Sequence, residues 1–361
     1  MKSVRVFFTA LVIWLSSFLA YACTGITLRT EGGNTVAART IEWAGSDLES
    51  RYVVVPRGYT QRSYVPGGKK DGMLFTSRYG YIGLSVERAE YVVDGMNEKG
   101  LSAGLFYFPD CGSYERYDAL ERDSSVSDLQ LVPWILGQCS TVDEVMSAVG
   151  RVHVVSADER GSTVHWRFTD TSGRQVVLEI VGGRKMWHEN TLGVLTNSPD
   201  FGWHLKNLNN YANLYPGRAS GLEIGGMHLK PFGGGGGLYG IPGDMTPPSR
   251  FVRAAFFLSA APCLSSSEET VMQAFHILNN FDLPIGVQTN MDVAVPDIPS
   301  ATQWTVACDI GNRRIYYRTM YDSTIRCFDL KATDFVKVKY MSRPLDAVKR
   351  QPVRFVKVQT D

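Results

Sequence analysis

Ala20-Tyr21-Ala22-Cys23-Thr24-Gly25 reads as the end of an export signal placed immediately before a cysteine. A cut between Ala22 and Cys23 would make that cysteine the first residue of the mature chain, with a thiol and a free α-amine on one residue. A thiol titrates at about 8.5 and an α-amine at about 7.7 to 8.0, so both populate their reactive forms close to neutral pH. An internal cysteine borrows a base from elsewhere in the fold, whereas an N-terminal one carries its own. Cleavage would be the activation step.

Upstream, Lys2 and Arg5 form a basic n-region, Val6 to Leu19 an apolar h-region, and Ala20-x-Ala22 a small-residue cleavage site. Residues 1–22 are therefore expected to be a signal peptide that is removed, leaving 23–361 as a single domain, with no stable membrane span after cleavage. Two other readings exist. The uncharged run from Val6 to Leu28 is long enough for an uncleaved anchor, but Thr24 and Gly25 sit poorly in it. A lipoprotein signal would attach diacylglycerol to Cys23, leaving a non-catalytic envelope protein. Tyr21 is bulky for that signal, and lipidation would acylate the amine that the chemistry needs.

Downstream, Gly25 to Arg29 and Thr35 to Ile41 alternate around Glu31-Gly32-Gly33-Asn34, the pattern of a hairpin. The nucleophile would then begin a strand held in a sheet. More strands are expected at Tyr52 to Val55, at Tyr79 to Val86, and on both sides of Asp94 to Gly100. Helical spacing covers Leu129 to Leu136, Arg250 to Ala260 and Glu268 to Asn280, and Thr141-Val142-Asp143-Glu144 has the form of a capping box. Two further hairpins are read, from Val164 to Phe168 and Val176 to Ile180, and from Trp304 to Asp309 and Arg314 to Arg318. Strands in hairpins with helices between them predict an α+β fold of antiparallel sheets covered by helices, not a doubly wound parallel sheet.

The composition, 44% hydrophobic and 20% charged, is that of a globular protein. The formal charge of +1 becomes −1 when Lys2 and Arg5 leave, so no basic field invites nucleic acid. Lys331 to Lys357 is locally basic, with Val336, Val338, Phe355 and Val356 interleaved, and reads as a solvated strand face. The glycine run 233–237 lacks the Gly-Lys-Ser/Thr of a phosphate loop and reads as a surface loop that borders the active site at most. Six histidines show no metal-ligand spacing, and no cofactor is implied. The six cysteines, Cys23, Cys111, Cys139, Cys263, Cys308 and Cys327, include no CxxC pair and form no disulfide framework; Cys139 reads as a small buried hydrophobe. Gly100-Leu101-Ser102-Ala103-Gly104 matches a serine-hydrolase elbow, but Leu105 to Phe108 continues as strand where the elbow needs a helix. A Ser102 nucleophile is therefore the weakest catalytic reading.

Several further stretches stand in one order: Arg39-Thr40-Ile41-Glu42-Trp43, Asp94-Gly95-Met96-Asn97-Glu98-Lys99-Gly100-Leu101, Leu195-Thr196-Asn197-Ser198-Pro199, and Gly243-Asp244-Met245-Thr246-Pro247-Pro248-Ser249-Arg250-Phe251. With Cys23-Thr24-Gly25 in front, the chain resembles the choloylglycine hydrolase family, which contains bile salt hydrolases and penicillin V acylases. The resemblance implies an N-terminal nucleophile (Ntn) hydrolase, a four-layer αββα sandwich of two antiparallel sheets between helical layers. It implies Cys23 as nucleophile, Arg39 beside it to favour the thiolate, Asn197 as oxyanion donor, and Arg250 as a second active-site arginine. Glu42 stands where many members have aspartate holding the α-amine. A second oxyanion donor, a backbone N–H, is implied near Leu105 to Pro109. Bile salt hydrolases often carry asparagine there and penicillin acylases tyrosine, whereas this chain has Phe106-Tyr107, expected to contact substrate. Trp43 and Trp203 are further candidate pocket walls. The implied substrate is a small-molecule amide joining a bulky apolar acyl group to a small amine. Conjugated bile salts are the first expectation, with penicillin V and N-acyl homoserine lactones as alternatives. The implied assembly is a homotetramer in the periplasm or secreted.

Overall fold

A computed structural model describes residues 22–157, 162–288, 298 and 300–359. In chain order the strands of its two main sheets are β1 (Ala22–Arg29), β2 (Thr35–Trp43), β3 (Arg51–Val55), β4 (Tyr81–Ser85) and β5 (Val92–Asn97). They continue with β6 (Ser102–Tyr107), β7 (Val164–Thr169), β8 (Gln175–Val181) and β9 (Arg184–Glu189). The last four are β10 (Ala301–Asp309), β11 (Arg314–Thr319), β12 (Arg326–Asp329) and β13 (Met341–Pro344). The α-helices are α1 (Leu131–Gln138), α2 (Val142–Val149), α3 (Phe201–Asn207), α4 (Pro247–Ala260) and α5 (Ser267–Leu278).

One sheet has five strands in the order β1-β2-β10-β11-β12, and the other has eight in the order β9-β8-β7-β6-β5-β4-β3-β13. Neighbours in both run antiparallel. Helices α4 and α5 pack on the smaller sheet, α1 and α2 on the larger, and β1 meets β6 between them. The layers are thus helix, sheet, sheet, helix, as expected from hairpins that each need an apolar face covered.

Local chemistry explains the element boundaries. The β1–β2 turn needs a left-handed residue, and Gly33 supplies φ +80°. Thr141 caps α2 by accepting from Glu144 N at 3.2 Å, but the Glu144 carboxylate reaches one residue further back, accepting from Ser140 N at 2.6 Å. Ser266 caps α5 through Glu269 N, and Pro247-Pro248 opens α4, where missing N–H groups cost nothing. Cys139 ends α1 as a buried residue, its thiol pushed up to about 12 by burial.

The C-terminal stretch departs from expectation. Between 331 and 357 only Met341–Pro344 is strand, and Phe355 and Val356 lie exposed on chain without regular structure. The rest of the segment is held by separate apolar anchors instead of a continuous strand face: Phe335 and Leu345 are buried, and Tyr340 stacks on Tyr59. The glycine run 233–237 is mostly exposed and lies in a loop with one 3-10 turn, away from the cavity described below. Among the described residues, no helix is long and apolar enough to cross a membrane.

Candidate active site

The β1–β2 hairpin delivers the first two groups. Its register pairs Gly25 with Arg39 and Cys23 with Ile41, so the arginine side chain lies beside the cysteine. Arg39 Nη2 donates to Cys23 Sγ at 2.8 Å. Three further guanidinium hydrogens are spent on backbone: Nε donates to Thr40 O at 3.1 Å, and Nη1 to the carbonyls of Val93 and Leu105. The Asp94 carboxylate stands 4.0 Å from Nη1, and both side chains are buried. Burial pushes Asp94 up to about 6, although Arg39 and Arg167 pull the other way. A guanidinium fixed this way sets a permanent positive charge against the sulfur.

Asn197 arrives from a different part of the chain. Leu195 and Gly25 exchange backbone hydrogen bonds of 2.7 and 3.0 Å, laying the segment before Asn197 alongside β1. Asn197 Oδ1 then accepts from Cys23 N at 2.9 Å and from Arg250 Nη2 at 2.8 Å, while Nδ2 donates to Tyr107 O at 2.7 Å. Arg250, in the first turn of α4, also donates to Thr24 Oγ1 at 2.8 Å and to the Cys23 carbonyl. One asparagine thus ties β1, the end of β6 and α4 together around the cysteine.

Glu42 follows on β2, its position paired with Ala22 and, across β10, with Thr302. A bulge between Thr302 and Trp304 interrupts the β10 register at this point, as bulges often do where a side chain must be re-aimed. Glu42 Oε1 accepts from Thr302 Oγ1 at 3.1 Å, and Oε2 is buried without a hydrogen-bond partner. Burial raises this carboxyl to about 7, against the pull of Arg250 and of hydrogen bonds from Thr40 and Thr302.

Three of these groups border a cavity of about 260 Å³, whereas Asn197 and Arg250 stand behind Cys23 and are not among its lining residues. Cys23, Arg39 and Glu42 line it at one place, and its apolar wall includes Ile41, Trp43, Leu48, Val93, Leu105, Tyr107, Leu129 and Val164. Two of the expected walls lie elsewhere. Phe106 is fully buried outside the cavity, because strand alternation turns it away from Leu105 and Tyr107 and under Arg39, 4.0 Å from ring centre to guanidinium carbon. Trp203 is 40% exposed on α3 and does not border the cavity, since the first turn of α3 buries Phe201 and His204 instead. In the segment expected to supply a backbone donor, Phe108 N is already bonded to Thr163 O at 2.8 Å. Ser102 is buried at the start of β6, and the strand runs on to Tyr107, so no strand-to-helix elbow forms.

Sequence reasoning missed a polar layer behind Asn197. His165 Nε2 lies 3.1 Å from Thr196 O and its Nδ1 3.1 Å from Glu179 Oε1, and the same Glu179 oxygen accepts from Phe201 N at 2.9 Å. His204 Nε2 lies 2.8 Å from Asn197 O. Burial opposes ionisation of Glu179, yet His165, 3.1 Å away, and His188, 3.4 Å away, hold it down at about 2. Burial lowers His204 to about 4, leaving it neutral at pH 7. No spacing announces these histidines: one sits in an alternating strand and the other in a short helix. Among the described residues no group of His, Cys, Asp and Glu side chains is placed to hold a metal ion, and all six cysteines are free.

Residues 23–344 match the model of a family described as linear amide C–N hydrolases, choloylglycine hydrolase family. The chain is 31% identical over 314 residues to a bile salt hydrolase/transferase of Clostridium perfringens, covering 85% of this chain and 92% of that one. It is 23% identical over 361 residues to a penicillin V acylase of Pectobacterium atrosepticum, covering 92% and 88%. In three dimensions it superposes on a variant of conjugated bile acid hydrolase from Clostridium perfringens with a TM-score of 0.80 and 28% identity, over 93% of this chain and all of the other. The penicillin V acylase of Agrobacterium tumefaciens gives a TM-score of 0.72 at 25% identity, over 90% and 92%.

Proposed function

The chain belongs to the choloylglycine hydrolase family of linear amide C–N hydrolases, and from that premise we propose that it is an exported cysteine hydrolase of conjugated bile salts. The observation that carries this reading is the position of Cys23 Sγ, held by Arg39 on the wall of a largely apolar cavity. An apolar wall suits a bulky acyl group, and the polar groups at one place suit the amide to be cut.

The chemistry follows from the groups present. Removal of residues 1–22 converts the Cys23 amide nitrogen into an α-amine with more hydrogens than Asn197 Oδ1 can accept. The unpartnered, buried Glu42 Oε2 is the acceptor in waiting, and a charged amine beside it would restore the carboxylate. The Cys23 thiolate attacks the substrate carbonyl carbon, and the α-amine carries the proton to the leaving nitrogen. Asn197 Nδ2 has two hydrogens; the Tyr107 carbonyl takes one, and the other meets the oxygen that becomes negative on attack. The amine product leaves, a thioester on Cys23 remains, and water activated by the α-amine releases the acid.

The direct test is hydrolysis of glycocholate, taurocholate, penicillin V and an N-acyl homoserine lactone by chain beginning at Cys23. Release of glycine or taurine with the highest kcat/KM supports the reading, and hydrolysis of penicillin V alone overturns it. Penicillin V acylase is the second reading, favoured by Tyr107, which lines the cavity. A homotetramer is proposed with the family resemblance. The hairpin 222–229, which exposes Leu222, Ile224, Met227 and Leu229, supports contact with another copy.

A further inference from the structure

We propose that His165 and His204 are positioning residues that clamp the Thr196–Asn197 backbone, so that the Asn197 amide is aimed at the substrate oxygen. The inference rests on the reading of Asn197 as oxyanion donor and adds what holds it.

A carbonyl oxygen only accepts, so each ring must donate through Nε2: His165 to Thr196 O at 3.1 Å and His204 to Asn197 O at 2.8 Å. Consecutive carbonyls of one turn are therefore each held by a fully buried imidazole. The rings are fixed in turn. His165 stacks on Phe108 with centroids 4.5 Å apart and planes within 7°, and His204 stacks on Phe251 at 4.6 Å and 11°. Each aromatic platform is the chain neighbour of a residue bonded to the Asn197 side chain. Phe108 follows Tyr107, whose carbonyl takes the Nδ2 hydrogen, and Phe251 follows Arg250, whose guanidinium meets Oδ1.

The backbone and the side chain of Asn197 are thus referenced to the same two pieces of chain, the end of β6 and the first turn of α4. Glu179 ties the halves together, since one oxygen lies 3.1 Å from His165 Nδ1 and accepts from the N–H of Phe201, the first residue of the helix that carries His204. His204 Nδ1 is buried without a partner, which leaves its one hydrogen bond to Asn197 O as the polar contact that sets the ring. An oxyanion donor is useful only when held where the charge develops, before it develops.

The test is a cycle of variants in chain beginning at Cys23, assayed with the amide substrate it turns over fastest and normalised to Cys23 alkylated by iodoacetamide. His204→Phe removes the donor, His204→Gln keeps an N–H near the same place, and Phe251→Leu loosens the ring while keeping the donor. Each is made in wild-type and Asn197→Ala backgrounds. The expected result is a kcat loss of about tenfold for His204→Phe with KM changed less than about twofold, a smaller loss for Phe251→Leu, and recovery of most of the rate in His204→Gln. In the Asn197→Ala background the same changes should cost less than about twofold. Losses that persist undiminished in that background, or a His204→Phe enzyme with unchanged kcat, overturn the proposal. If His204→Phe gives no folded protein, Phe251→Leu carries the cycle. An Asn197→Ala enzyme with wild-type kcat would instead refute the oxyanion reading itself, a result separable from the others because it needs no histidine variant.

Discussion

Arg39 Nη2 lies 2.8 Å from Cys23 Sγ, although sixteen residues separate the two, because both belong to one hairpin whose register sets them on adjoining strands. The contact sets a buried, permanently charged group against the Cys23 sulfur. Arg39→Met keeps much of the volume and removes the charge. It should slow alkylation of Cys23 by iodoacetamide at pH 7 by about tenfold or more, the factor that about 1.4 kcal/mol of lost charge stabilisation represents. Alkylation followed by mass spectrometry reads this directly, and an unchanged rate would remove Arg39 from the account.

Glu42 makes the unprocessed chain sensitive to pH in a defined direction. Its carboxyl titrates at about 7 when buried beside Thr302, above its ordinary value of 4.5, so the folded form holds more protons than the unfolded form between those values. Stability from this group is full below about 4.5 and is lost as pH rises through about 7. Thermal melting of chain retaining Ala22 should show this decline, and Glu42→Gln should be flatter over the same range. Asp94 and Asp128, each raised to about 6 by burial, slope the same way in both proteins, so the difference between them isolates Glu42. Chain beginning at Cys23 should lose most of the difference if its amine meets the carboxylate as proposed.

Asn197→Ala should lower kcat about 10² to 10³-fold with a modest change in KM, as expected for a donor engaged mainly in the transition state. Steady-state kinetics on the preferred amide checks it. A matching rise in KM with kcat unchanged would instead make Asn197 a substrate-binding residue.

Gly25 marks how closely the two sheets approach behind the nucleophile. A Cβ there would lie 2.8 Å from Phe106 Cζ and 2.9 Å from Arg167 Nη1, both buried. Gly25→Ala should cost about 1 to 3 kcal/mol by overpacking, read as a lower denaturation midpoint at unchanged m-value. Activity should fall as well, because Gly25 carries the backbone bonds to Leu195 that bring Asn197 to β1.

The parts of this fold that were legible in the sequence are those decided locally. The β1–β2 hairpin and the capped helix at Thr141 follow from turn, cap and period within a dozen residues, whereas α4 starts at Pro247, ahead of the helical spacing read from Arg250. Arg39 and Glu42 were expected beside Cys23 only through the family resemblance, and the register of the β1–β2 hairpin supplies the physical reason. The placement of β10 next to β2 could not, since it joins segments some 260 residues apart through matching apolar faces that many strands share. Phe106 was misplaced for a related reason: alternation shows that Phe106 and Tyr107 face opposite ways, but which way is set by the partner sheet. His165 and His204 left no trace, because each makes its decisive bond to a backbone carbonyl, which has no residue identity. The alternation after Lys331 yields no long strand, because the segment docks through separate anchors, Phe335, Tyr340 and Leu345, around the short strand Met341–Pro344.

The central claim is that Cys23, freed at its amine, forms the covalent intermediate. The most direct measurement is mass spectrometry of enzyme purified from the bacterial envelope and acid-quenched during turnover of glycocholate or penicillin V. The account predicts an N-terminal peptide beginning at Cys23 and heavier by one acyl group, with the adduct absent from Cys23→Ser. A chain beginning at Met1, a lipid on Cys23, or an acyl group on Ser102 would contradict it.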